Sequence, residues 1–128
     1  ERDLAARWPR FVEELTADVQ RSVEEWNHAA TEKGFPFTLQ YVVMPDGFMV
    51  SSFGMSVAVA FDEAAHGLTV TRSGEQQSTR YEARSNGARV SLYEWKAKGH
   101  IDTPVEHPQE MILTPLVDAS TEAAVREP

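Results

Sequence analysis

An α+β domain, a long N-terminal amphipathic helix packed on an antiparallel five-stranded β-meander with a short C-terminal helix, is predicted by three observations. An apolar stripe repeats at helical spacing through the first 33 residues. A run of alternating β-branched and aromatic segments separated by turn residues follows it. The chain is 128 residues long, enough for a single core that can be stable without disulfides.

The helix is expected over residues 9–33. Trp8, Phe11, Val12, Leu15, Val19, Val23, Trp26 and Ala30 fall on one side at 100° per residue, with Arg10, Glu13, Glu14, Arg21, Glu24, Glu25 and His28 opposite. Pro9 suits a first turn, where its missing N–H is not needed, and disfavours α geometry at Trp8, which limits any extra turn from Asp3. Lys33, Gly34 and Pro36 end the helix.

Strands are expected at about 37–44, 48–61, 68–73, 76–84 and 89–97, the second bent at Gly54. Pro45-Asp46-Gly47 and Asn86-Gly87 supply turns between neighbours, and links this short make the pairing antiparallel. An Asn86-Gly87 turn sets Arg84 opposite Arg89, Ala83 opposite Val90, Tyr81 opposite Leu92 and Arg80 opposite Tyr93. Thr103-Pro104-Val105-Glu106 has capping-box spacing, so a short helix is expected within 104–117, with Met111, Ile112, Leu116 and Val117 toward the sheet. Residues 118–128 read as a polar tail.

The net charge is −8, with eight acids and five bases in residues 1–33 and six acids against one base in 101–128. That balance argues against nucleic acid, whose binding rests on neutralised phosphates. No apolar run approaches the ~20 residues of a membrane span, and no signal pattern opens the sequence. With no cysteine, a cytoplasmic setting is expected.

Catalytic and cofactor signatures are missing from the sequence. His100, Asp102, Glu106 and His107 match no metal-ligand spacing. Ser52-Phe53-Gly54-Met55-Ser56 lacks the glycine-flanked turn that presents a nucleophile. The glycines are scattered singly, so no phosphate-cradling loop exists. We therefore expect no cofactor and no metal.

The informative residues lie on the hairpin. Tyr81, Ala83, Val90 and Leu92 share its core side, whereas Arg80, Glu82, Arg84, Arg89, Tyr93 and Trp95 share the other. Ala58, Ala60, Thr69 and Thr71 continue that outer side, and Phe48, Met49, Phe53 and Met55 load both faces of the second strand with apolar bulk. Arg, Tyr and Trp are the residue types enriched at binding hot spots. The expectation is a non-enzymatic protein-interaction module whose partner face holds Arg80, Arg84, Arg89, Tyr93 and Trp95, with a protein partner or self-association. The alternative is a small-ligand cup or small enzyme with its pocket between helix and curved sheet.

Overall fold

A computed structural model describes residues 2–35, 37–75, 78–86, 89–96, 99–100 and 104–126. Helix α1 (Arg2–Lys33) is followed by strands β1 (Gln40–Met44), β2 (Gly47–Ser52), β3 (Met55–Asp62), β4 (Gly67–Arg72), β5 (Thr79–Asn86), β6 (Arg89–Lys96) and the two-residue β7 (Gly99–His100), then by helix α2 (Pro108–Arg126). Each strand pairs antiparallel with the next, so spatial order equals chain order. The α+β class and the meander agree with the sequence. The strand count does not.

Of the two extra strands, one is the two-residue β7 and the other comes from a second hairpin inside the expected second strand. Ser52 pairs with Met55, and the two linking residues have positive φ, 53° at Phe53 and 75° at Gly54. Positive φ at both central positions is what a type I′ turn needs. A bulky side chain is a rare occupant of that region, which is why the segment reads as a bend rather than a reversal. Packing of the Phe53 ring on Phe37, 5.6 Å between centroids, favours the turn.

Helix α1 begins seven residues before the expected start and runs through Pro9. An interior proline costs about 3 kcal/mol. Leu4 and Trp8 are both buried in the core, and burying such a side chain contributes roughly 1.5–3 kcal/mol, so the two together offset the cost. At the other end Gly34, with φ of 70°, lets the Phe35 N–H reach back to the Ala30 carbonyl at 2.9 Å and close the helix.

Strand β1 starts at Gln40, three residues late, because the Leu39 backbone is held by the Asn27 side chain and not by a strand. The β5–β6 register also differs from the sequence reading. Asn86 pairs with Arg89, Ser85 with Val90, Arg84 with Ser91, Ala83 with Leu92 and Glu82 with Tyr93. Asn86 thus ends a strand instead of occupying a turn. The linking residues 87 and 88, with 76, 77 and 97 of the expected strands, lie outside the described residues. The shift is two residues, so every side chain keeps its expected face.

Helix α2 starts at Pro108, within the expected 104–117, and extends to Arg126 through most of the expected tail. Thr103 lies outside the described residues. Val105, expected as a helical position, instead bridges to Leu92 through its N–H at 2.8 Å. The longer helix is held by Ile112, Leu113 and Leu116, all buried, and Ser120 is small enough to be fully covered.

Both helices lie on one face of the sheet. That face presents Phe48, Val50, Val57, Val59, Leu68, Val70, Tyr81, Ala83 and Leu92, all buried, against Leu15, Val19 and Val23 of α1 and Ile112 and Leu116 of α2. Arg72, on the same face at the end of β4, fastens α2. Its guanidinium donates to the carbonyls of Met111 at 2.7 Å and Ile112 at 3.0 Å. Pro115 has no N–H to offer the Met111 carbonyl four residues earlier, and Arg72 takes that place. Burial lowers the Arg72 pKa from its ordinary value, with Glu75 and Tyr81 opposing the shift.

Candidate functional site

With both helices on the inner face, the outer face is left without a covering element among the described residues. Strand alternation dictates what it carries. Ala58 and Ala60 come from β3 and Thr69 and Thr71 from β4, the small side chains expected there. Met49 of β2 lies opposite Ala58, with Val42 of β1 beyond it. Toward β5 and β6 the face becomes charged and aromatic.

At that corner Arg84 and Tyr93 are brought together, the guanidinium carbon lying 5.0 Å from the ring centroid. Stacking uses the face of the guanidinium and leaves its in-plane N–H groups to grip a carboxylate in two places. Tyr93 stands opposite Glu82 in the ladder. Arg80 lies one turn of the pleat away, with Nη2 3.4 Å from the Asp62 carboxylate. Trp95 is 44% exposed near the end of β6, beside the short β7. The C-terminal helix does not cover it.

Arg89 is set apart from the other four. It lines a cleft of about 600 Å³ between α1, β6 and residues 105–109. Arg7 and Arg10 line this cleft with Glu14, Asp18 and Glu106, so three bases and three acids face one another. Arg10 pairs with Glu14 at 2.9 Å and Arg7 reaches Ser85 at 3.4 Å. Away from this marginal cleft, the space between the helices and the middle of the sheet is filled by fully buried side chains such as Val19, Phe48, Leu68 and Ile112.

The histidines are dispersed. His28 pairs with Glu32 on the solvent side of α1 at 3.3 Å, and His66 lies against the Trp8 ring. Among the described residues no group of three metal-ligating side chains gathers. Of His100, Asp102, Glu106 and His107, which match no ligand spacing in the sequence, Asp102 lies outside the described residues. No helix among the described residues is long and apolar enough to cross a membrane.

Two features of this surface were not anticipated from sequence. One is the aromatic row at the opposite end, where Trp26 stacks on Phe35 at 5.6 Å and on Phe37 at 5.4 Å, and Phe37 meets Phe53. The other is the β1 border, where Val42, Val43 and Met44 are all exposed. A run of apolar residues in 41–44 was the available signal, but it gives no sign of whether a strand is central or at an edge. No family model, curated protein or solved structure matches the chain.

Proposed function

We propose that this chain is a non-enzymatic protein-interaction module that meets a partner through the outer face of its sheet, with Arg80, Arg84, Tyr93 and Trp95 as anchors. One observation carries the reading: α1 and α2 cover the same face, leaving the opposite one open and graded from small side chains to an Arg-Tyr-Trp corner. Small side chains in the middle let another backbone approach closely. Aromatic and arginine side chains at the corner supply large contact area and bidentate hydrogen bonding at low entropic cost. A carboxylate-bearing segment fits the Arg84 donors best. The fully buried core between the helices and the middle of the sheet supports this reading over a ligand cup enclosed there; the charged cleft that Arg89 lines lies at the margin, outside that core.

The test is photo-crosslinking in the native host from a probe replacing Ser91, a half-buried neighbour on this face, compared with one replacing Glu24 on α1. The reading expects a defined adduct from the sheet position, lost in an Arg84→Ala, Trp95→Ala variant with an unchanged melting temperature. Adducts from Glu24 alone, broken by Glu13→Lys with Glu24→Lys, would place the partner on the helix.

A further inference from the structure

Most of the exposed large apolar side chains lie away from the Arg-Tyr-Trp corner, at or near the β1 border: Phe35, Val42, Val43, Met44 and Phe53, with Val43 76% exposed. Strand β1 is the first in the sheet order, so one of its sides has no neighbouring strand among the described residues. Which backbone groups face that side follows from two independent contacts. Asn27 of α1 donates from Nδ2 to the Leu39 carbonyl at 2.8 Å and accepts from the Leu39 N–H at 2.7 Å. Leu39 therefore turns both groups away from β2, and antiparallel alternation repeats that direction at Tyr41 and Val43. At the other end Met44 and Gly47 close the two-residue turn to β2, so Met44, Val42 and Gln40 are the residues that bond inward.

The open backbone is thus short and sharply bounded. Asn27 occupies Leu39 on one flank, and Pro45 has no N–H on the other. Between them Tyr41 and Val43 each present an N–H and a C=O that no described residue takes up. Edge strands are ordinarily protected by charge, proline or a bulge. Here both flanks are protected, and the five residues Gln40–Met44 carry no charge.

We propose that a second copy of this chain docks on this edge, β1 against β1 antiparallel, about a two-fold axis at Val42. The free groups are self-complementary only in that register. It sets Tyr41 opposite Val43 of the other copy and Val43 opposite its Tyr41, forming four hydrogen bonds. Centring on Tyr41 would call on Leu39, which Asn27 holds, and centring on Val43 would call on Pro45. Local charge does not oppose the contact, because the strand is uncharged, and the repulsion between two chains of net charge −8 is screened by salt over about 10 Å. The axis stands perpendicular to the sheet, so both helix layers fall on one side and Val43 gains the partner's Tyr41 as cover. The inference is independent of the partner face proposed above, which lies at the other end of the sheet.

The test exploits a chain without cysteine. In the proposed register Val42 faces its own twin as a non-hydrogen-bonded pair, with Cα atoms roughly 4.5 Å apart, within disulfide range. Val43 is offset from its twin by two positions and is not. Under mild oxidant Val42→Cys should form an intermolecular disulfide at least about ten-fold faster than Val43→Cys, as disulfide geometry demands. Sedimentation equilibrium should show a concentration-dependent dimer for the wild type. Val43→Pro removes one outward N–H per copy, two of the four bonds, and should weaken association roughly ten- to thirty-fold. Circular dichroism checks its fold, and if it does not fold the cysteine pair decides alone. Equal crosslinking of the two cysteine variants, or a wild type monomeric up to its highest soluble concentration, would overturn the proposal; the latter is also the result if the edge serves a foreign peptide.

Discussion

The two faces of this sheet are built from the same strands, yet they differ in kind. In β3 and β4 the inner positions are Val57, Val59, Leu68 and Val70, all buried, while the alternate positions are Ala58, Ala60, Thr69 and Thr71. A face turned permanently to water is ordinarily marked by charge. Here charge gathers on β5 and β6 and at Asp62, which reaches Arg80, and the middle is merely small. The contrast teaches that side-chain size, as much as polarity, separates a face that makes a core from one that receives a visitor.

The largest effect that could break this contrast comes from neighbouring residues on β2. Phe48 is fully buried on the inner face, so Phe48→Ala should cost about 3–5 kcal/mol in chemical denaturation. Met49→Ala on the outer face should cost below about 1 kcal/mol, because no layer packs over it in the isolated chain. Comparable losses would mean that both faces are cores. With a partner bound, Met49→Ala should instead show its effect in affinity.

A smaller effect sharpens the account of how α2 chose the inner face. Arg72→Ala removes the donor that replaces the missing Pro115 N–H, and an unsatisfied buried carbonyl costs about 1–3 kcal/mol. In a Pro115→Ala background the helix can satisfy Met111 itself, so Arg72→Ala should cost less there. A double-mutant cycle that gives strictly additive losses would show that Arg72 acts only through packing.

The smallest effect is a pH dependence carried by tyrosines of the inner face. Burial raises the Tyr81 pKa above its ordinary 10.0, reinforced by Glu94 and opposed by Arg72. The folded state therefore holds the Tyr81 proton more tightly than the unfolded state. Its contribution is fully present below the unfolded pKa and is lost as pH rises through 10 toward the folded value. Denaturation midpoints should fall on the alkaline side, less steeply in Tyr81→Phe. Tyr41, also raised by burial, adds in the same direction. An identical alkaline slope in Tyr81→Phe would assign the loss elsewhere.

How much of this was legible in the sequence depends on how local each cause is. The stripe from Trp8 to Ala30 and the alternation from Val57 to Phe61 are repeats within one element, and both read correctly. The face assignment of the hairpin survived a two-residue register error because strand periodicity is two. Phe53 concealed a turn, since its residue type opposes the conformation that contact with Phe37 supports. Pro9 concealed a helix start because the burial of Leu4 and Trp8 outweighs it. Residues 118–124 look like a tail until Ser120 is seen packed. For the candidate site, the chemistry of the corner could be read from residue types. Its openness could not, because that depends on where α2 docks, and the Arg72 contact that fastens α2 spans 39 positions of chain.

The strand order has a further consequence for how the molecule comes into being. Because every strand pairs with its immediate successor, the sheet can zip in the order in which residues leave the ribosome, each step closing a short loop at little entropic cost. Hairpins of this kind form on a microsecond scale, far ahead of synthesis at roughly 5–20 residues per second. Helix α1 is made first yet must wait for β2 to β6 before its stripe is covered, and α2 arrives last to seal the layer. The nascent chain therefore spends several seconds as an exposed amphipathic helix beside a growing sheet, and that interval is when it most needs a chaperone's shelter.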